Sequence, residues 1–308
     1  MNSTPPKKLL SAKLLHAKLL HDLEPHTGPV SNIVTISGGI TNRNYKLESE
    51  YGAFMLRIAG ERTELLGIDR ANEFSSSQIA FRTGIGTEPI AFLEAHAAIL
   101  SRYIPDALTL DPESATARLE RIVPRLRAFH DAPAIATKFS PFETVRNYQT
   151  LALEHGVRFP NDLPRILEQM TRIETVLAPH ARACPCHNDL LPANFLDDGK
   201  KIWIIDWEYA GNGNPFFDLG NLAVNLELSD RDCERLLELY FGRIDLKLVS
   251  QLNLMRLVSD LREAFWGFLQ SGISTLEMDF VEYGNKHLER FRLNAAREEF
   301  AKWMAALG

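Results

Sequence analysis

The sequence predicts an α+β protein of two lobes, a small β-rich N-terminal one and a larger, mainly helical C-terminal one. Three observations carry this. Short runs of β-branched and aromatic residues broken by turn signals occupy residues 32–103. Beyond Pro105 the apolar residues recur at helical spacing. One β-rich island, residues 184–211, interrupts those helices. With 308 residues, 45% of them hydrophobic, the chain can bury a sizeable core.

Taken in order, the leucine pairs at 9/10, 14/15 and 19/20 predict an amphipathic helix laid on the protein's own surface. Residues 1–27 are read as this helical extension. The segments "NIVTI", "SGGITNR", "NYKLES" and "AFMLRIA" predict a small antiparallel sheet, and Leu66, Ala71, Phe74, Ile79 and Phe81 a helix stopped by glycines. "PIAFLEAHAAILSRYI" returns to strand-like alternation and completes the N-lobe, residues 28–103. Residues 104–308 form the C-lobe, with a hairpin where "ANFLD" and "KIWIID" flank an Asp-Asp-Gly turn. No flexible linker separates the lobes, so they are expected to share an interface.

The net charge of -6 and the scattered Lys and Arg residues exclude a nucleic-acid partner. Three cysteines are too few for a secreted disulfide framework and favour a reducing, cytoplasmic compartment. Lys13, His16, Lys18 and His21 break up the N-terminal apolar run, and no stretch of about 18 apolar residues occurs, so no membrane insertion is expected.

Chemistry concentrates in "CHNDLLPANFL". His187 is followed by Asp189, then Asn194, then Asp206 at the end of the apolar run "IWII". The Asn194 amide oxygen and the Asp206 carboxylate are hard ligands suited to Mg²⁺, while Asp189 can accept the proton of an attacking hydroxyl. That set suits phosphoryl transfer, which needs positioning and charge neutralisation more than covalent chemistry. A zinc cluster of Cys184, Cys186, His187 and Asp189 is the competing reading. One residue between the cysteines and no second Cys/His pair speak against it.

"HNDLLPAN" and "IIDWEYAGNGNPFFDLGNLA", with "SGGITNRNYKL", "FMLRIAG", "GIDRANEF", "FSPFETVRNY" and "AFWGFLQSGIS", resemble the choline/ethanolamine kinase branch of the aminoglycoside phosphotransferase-like superfamily. The resemblance implies a protein-kinase-like fold, ATP and Mg²⁺ as cofactors, Asp189 as catalytic base, and Asn194 and Asp206 as metal ligands. It implies Arg57 and Glu73 as the phosphate-binding ion pair, Ser101, Tyr103 and Ile104 as the adenine-side hinge, and His187 as a structural hydrogen-bonder. Gly38 and Gly39 let bare backbone N–H groups approach phosphate, with Thr41 and Asn42 as added donors. Asp218 reads as a helix N-cap, and Glu208 as a metal or substrate contact.

Only eleven residues separate Asp206 from Asp218, with no anchor for a peptide-holding segment, so the acceptor is expected to be a small molecule. The resemblance points to an amino alcohol, choline or ethanolamine, held by Tyr209, Trp266 and Tyr283 as cation-facing rings. Leu191, Asn225, Leu269 and Met278 depart from the pattern of the family's eukaryotic members. A kinase of thiamine, an aminoglycoside or a sugar, and a non-catalytic ATP-binding regulator, are the alternatives.

Overall fold

The computed structural model describes residues 15–36 and 42–308. A five-stranded antiparallel sheet is built from β1 (Val30–Ile36), β2 (Asn42–Ser49), β3 (Gly52–Ala59), β4 (Pro89–Leu93) and β5 (Ala98–Arg102), in the order β1-β2-β3-β5-β4. Strand alternation sorts the faces of β3. Phe54 and Leu56 enter a small core with Leu47, Ala98 and Leu100, which puts Arg57 on the opposite face. Helix α1 (Ala17–Thr27) closes that core with Leu19 and Leu23, preceded by Leu15, and Asp22 meets His96 at 2.7 Å. The extension therefore docks on its own sheet where it is described. Leu9, Leu10 and Leu14 lie outside the described residues, as do Gly38, Gly39 and Thr41.

The helix read from Leu66 onward is two pieces. A 3₁₀ turn over Thr63–Leu66 ends at Gly67, and α2 (Arg70–Arg82) begins at Asp69, whose side chain accepts the Ala71 and Asn72 N–H groups. Local capping chemistry overrides the apolar spacing there. Leu66 and Ala80 sit in a second, larger core, so α2 is tied to both parts of the molecule.

That larger core fills the helical part: α3 (Pro112–Thr116), α4 (Leu119–His130), α5 (Pro141–Glu154), α6 (Leu163–Leu177), α7 (Pro215–Asn225), α8 (Asp230–Phe241), α9 (Leu246–Ile273), α10 (Phe280–Ala295) and α11 (Glu298–Leu307). The 28-residue α9 is buried nearly all round and runs through the middle, packed by α5, α7, α10 and α11. Backbone contact fixes two of these crossings. A Cβ on Gly220 would lie 2.8 Å from the Met255 carbonyl carbon, and one on Gly267 would lie 2.9 Å from the Gly284 nitrogen.

Two small sheets carry the island. Strand β7 (Cys184–Cys186) pairs antiparallel with β10 (Gly211–Gly213), and β6 (Leu108–Thr109), β8 (Phe195–Asp197) and β9 (Ile202–Ile204) form the other. The hairpin around Asp198 and Gly199 is present as the turn residues predict. Among the described residues no helix is long and apolar enough to cross a membrane.

Asp197 pins the hairpin to α4: its buried carboxylate accepts Arg118 Nε at 2.7 Å and both Arg121 terminal nitrogens at 2.7 and 2.9 Å. Burial alone would raise its pKa, but these hydrogen bonds outweigh burial and hold it at about 2. A depressed carboxylate contributes stability above its unfolded pKa and loses it as pH falls through the folded one. Asp197→Asn is expected to lower stability by about 1–3 kcal/mol at neutral pH. Denaturant melts should show that gap constant above pH about 4 and narrowing from about 4 toward 2.

Candidate active site

The loop after β7 is shaped by one buried carboxylate. Asp218 accepts the His187 N–H at 2.8 Å and the Asn188 N–H at 2.6 Å, and His130 Nε2 lies 2.9 Å away with its Nδ1 at 2.7 Å from the Tyr240 hydroxyl. The N-cap reading of Asp218 is corrected here. Asn214 caps α7 by accepting the Phe216 N–H, and Asp218 sits inside the helix facing the loop, 0% exposed. Asn188, at φ 66°, adopts the left-handed region and anchors itself by donating to the Tyr209 carbonyl at 3.0 Å. Asn221 accepts the Leu190 N–H at 2.6 Å and donates to Ser259, fastening the loop to α7 and α9.

His187 ties the two functional segments together. Its Nδ1 accepts the Asp189 N–H at 3.2 Å, so Nε2 carries the proton donated to the Ile205 carbonyl at 2.9 Å. Burial lowers its pKa, which agrees with this neutral tautomer. Asn194 donates Nδ2 to the Asp189 carbonyl at 2.9 Å, leaving its Oδ1 as an acceptor. Asp206 follows β9 with φ 71°, a left-handed turn at a non-glycine.

Across the cleft, Arg57 touches Asp206 at 2.5 Å and pairs with Glu73. Arg70 bonds Glu73 at 2.6 Å, Glu208 at 3.0 Å and Asn42 Oδ1 at 2.9 Å, and Asn42 in turn donates to Glu208 at 2.9 Å. Glu208, read from sequence as a metal or substrate contact, is a member of this arginine cluster. Burial raises the carboxyls of Asp189 and Asp206 above the usual range, opposed by Arg262 and Arg57 respectively. Burial also pushes Glu208 up, but Arg57 and Arg70 outweigh it and hold that carboxyl down.

A third group lies on α9 and α10. Arg262 donates to Asp189 Oδ1 at 3.0 Å, pairs with Glu263, and stacks on the Tyr209 ring at 4.4 Å. Glu263 accepts the Tyr283 hydroxyl at 2.7 Å, and the Trp266 ring stands edge-on to Tyr283 and Phe280. Trp266 and Tyr283 are thus brought together, and Tyr283 is joined to Arg262 through Glu263, while Arg262 lies over one face of the Tyr209 ring. Of the hinge residues, Ser101 pairs with Met55 across the sheet and the Tyr103 N–H bonds the Ala53 carbonyl as the chain leaves β5 toward Ile104.

Arg70, Arg262, Glu263 and Asn221 were missed from sequence. A signal existed for two of them: "SDLREAFWGF" puts an adjacent Arg and Glu into an apolar helix, where burial of charge is costly without a task. Among these clustered groups five carboxylates (Asp189, Asp206, Glu73, Glu208, Glu263) face three guanidiniums (Arg57, Arg70, Arg262). The excess of two negative charges beside the Asn194 amide oxygen suits a divalent cation with oxygen preference.

A small sheet over a helical body, with the Asp189 loop and the acidic groups on the helical side, is the architecture of the protein-kinase-like class. Residues 32–246 match the phosphotransferase enzyme family, and the chain belongs to that family. Protein LicA of Haemophilus influenzae is 30% identical over 71% of this chain, which spans 64% of that relative's length. Human ethanolamine kinase 2 is 28% identical over 85% of the chain and 76% of its own. A choline/ethanolamine kinase family protein from Mesorhizobium loti superposes with a TM-score of 0.80 at 28% identity, covering 93% of this chain and 94% of that one.

Because the fully buried Asp218 accepts two loop N–H groups with its two oxygens, Asp218→Asn turns an amide donor toward one of those donors. The substitution should cost roughly 3 kcal/mol and lower both the thermal midpoint and turnover. Calorimetry beside a steady-state assay checks this, and an unchanged midpoint would show that the loop does not depend on Asp218.

Proposed function

We propose that the protein transfers the γ-phosphoryl group of ATP to the hydroxyl of an amino alcohol, choline or ethanolamine. The observation that supports this reading is the Asp189 carboxylate, held through one oxygen by Arg262, whose partner Glu263 accepts the hydroxyl of Tyr283 packed edge-on to Trp266, while the Asp189 carbonyl accepts the Asn194 side chain. Asp189 takes the acceptor's proton. Asn194 and Asp206 hold Mg²⁺, which when bound neutralises phosphate charge. Arg57, oriented by Glu73, meets the phosphates together with the glycine-containing loop of Gly38, Gly39, Thr41 and Asn42. Arg70 and Glu208 fix the end of that loop through Asn42. Residues 28–103, ending in the hinge of Ser101, Tyr103 and Ile104, act as the nucleotide lobe, and 104–308 supply the chemistry and the acceptor pocket. His187 and Asp218 hold the loop in shape.

A screen of ATP consumption over choline, ethanolamine, their methylated intermediates, thiamine and aminoglycosides tests the reading. Turnover should be fastest with choline or ethanolamine, and faster turnover of thiamine or an aminoglycoside would replace the acceptor while keeping the chemistry. Asp189→Asn should cut kcat by roughly 10²–10⁴ with ATP affinity nearly intact. A variant keeping more than about a tenth of kcat removes Asp189 from the role of base. Trp266→Ala should raise the KM for a cationic acceptor roughly 2- to 30-fold, the worth of one ring face, and lower kcat much less. A lower melting temperature with unchanged KM would make Trp266 a packing residue.

A further inference from the structure

We infer that Arg262 is a positioning residue for phosphoryl transfer: clamped by Glu263 and stacked on Tyr209, it holds the Asp189 carboxylate by Oδ1 so that Oδ2 is the oxygen presented to the acceptor hydroxyl. This rests on Asp189 being the base. Arg262 is 2% exposed and Glu263 3%, on a helix buried on almost every side. Burying a guanidinium costs several kcal/mol unless its surroundings repay it. A structural arginine repays that by spending its donors on carbonyls and carboxylates. Arg262 does otherwise: Nη1 alone serves both Asp189 and Glu263, while Nε and Nη2 are buried and bond nothing among the described residues.

Consecutive residues of a helix point about 100° apart. Accordingly Glu263 reaches Tyr283 on α10 while Arg262 reaches the loop. The ring beneath the guanidinium is itself tied to that loop, because the Tyr209 carbonyl accepts Asn188 Nδ2. Base, arginine and ring therefore keep one geometry. A carboxylate held by one oxygen cannot spin about its last torsion, which saves the ordering that a free one would need. In the step itself the acceptor oxygen bonds the γ-phosphorus as the bond to the bridging oxygen breaks. ADP leaves with the electron pair, and the hydroxyl proton passes to Oδ2. Glu263 neutralises Arg262, so the guanidinium adds no net charge against a cationic acceptor.

The test uses the full chain and four variants: Arg262→Met, Arg262→Lys, Asp189→Asn, and Asp189→Asn with Arg262→Met. Arg262→Met should lower kcat roughly 10- to 100-fold, as loss of a charge-assisted hydrogen bond does, with ATP affinity by calorimetry nearly unchanged. Arg262→Lys should recover part of the loss. Millimolar guanidinium chloride should partly rescue Arg262→Met where equal sodium chloride does not. The double variant should be no slower than Asp189→Asn alone, because Arg262 acts through that carboxylate. Full kcat in Arg262→Met, or a further loss in the double variant, overturns the inference. Should Arg262→Met fail to fold, Arg262→Lys compared in both Asp189 backgrounds carries the same test. An active Asp189→Asn would overturn the base reading itself, a separate outcome from an inactive Asp189→Asn beside a fully active Arg262→Met.

Discussion

The Asp218 carboxylate is the fixed point of the cleft. It stands in a helix and gathers backbone N–H groups from the loop that bears Asp189, in a place water does not reach. Once His187 and Asn188 are held there, the His187 ring can bridge to the Ile205 carbonyl, and Asp206 follows one residue later. Strand β10 pairing with β7 returns the chain so that Asp218 can reach back. The stretches that carry Asp189 and Asp206 are thus tied to one anchor, and the distance between the two carboxyls follows from it.

Around this anchor the charges arrange themselves in two layers. Toward the sheet, Arg57 and Arg70 bind Glu73, Glu208 and Asp206, and Asn42 carries the layer into the first loop. Toward the helices, Arg262 and Glu263 do the same for Asp189. Each layer places a guanidinium beside a carboxyl whose pKa burial raises, and the guanidinium opposes that rise. Each layer holds one carboxyl group more than it holds guanidiniums.

Much of this was legible before any coordinates. The strand and helix segments are read from periodicity, the hairpin from Asp-Asp-Gly, and Asp189, Asn194 and Asp206 from residue type and spacing. Other features depend on long-range packing that a linear pattern does not encode. The break at Gly67 came from capping by Asp69, which competes locally with apolar spacing. Asp218 looked like a cap because it lies near a helix start, and only β10 pairing with β7 turns it inward. Glu208 and Tyr209 took different neighbours because Arg70 and Arg262 reach them from elements more than fifty residues away.

The backbone contact between Gly267 and Gly284 has an evolutionary side. Where two helices touch through glycines, neither position accepts a side chain without moving the wall that carries Trp266 and Tyr283. The crossing that carries Trp266 and Tyr283 is thereby closed to drift, while Leu191, Asn225 and Met278 stand outside that contact. Exchange at such positions needs no rebuilding of the scaffold, so divergence among relatives should collect there and leave the helix crossing alone.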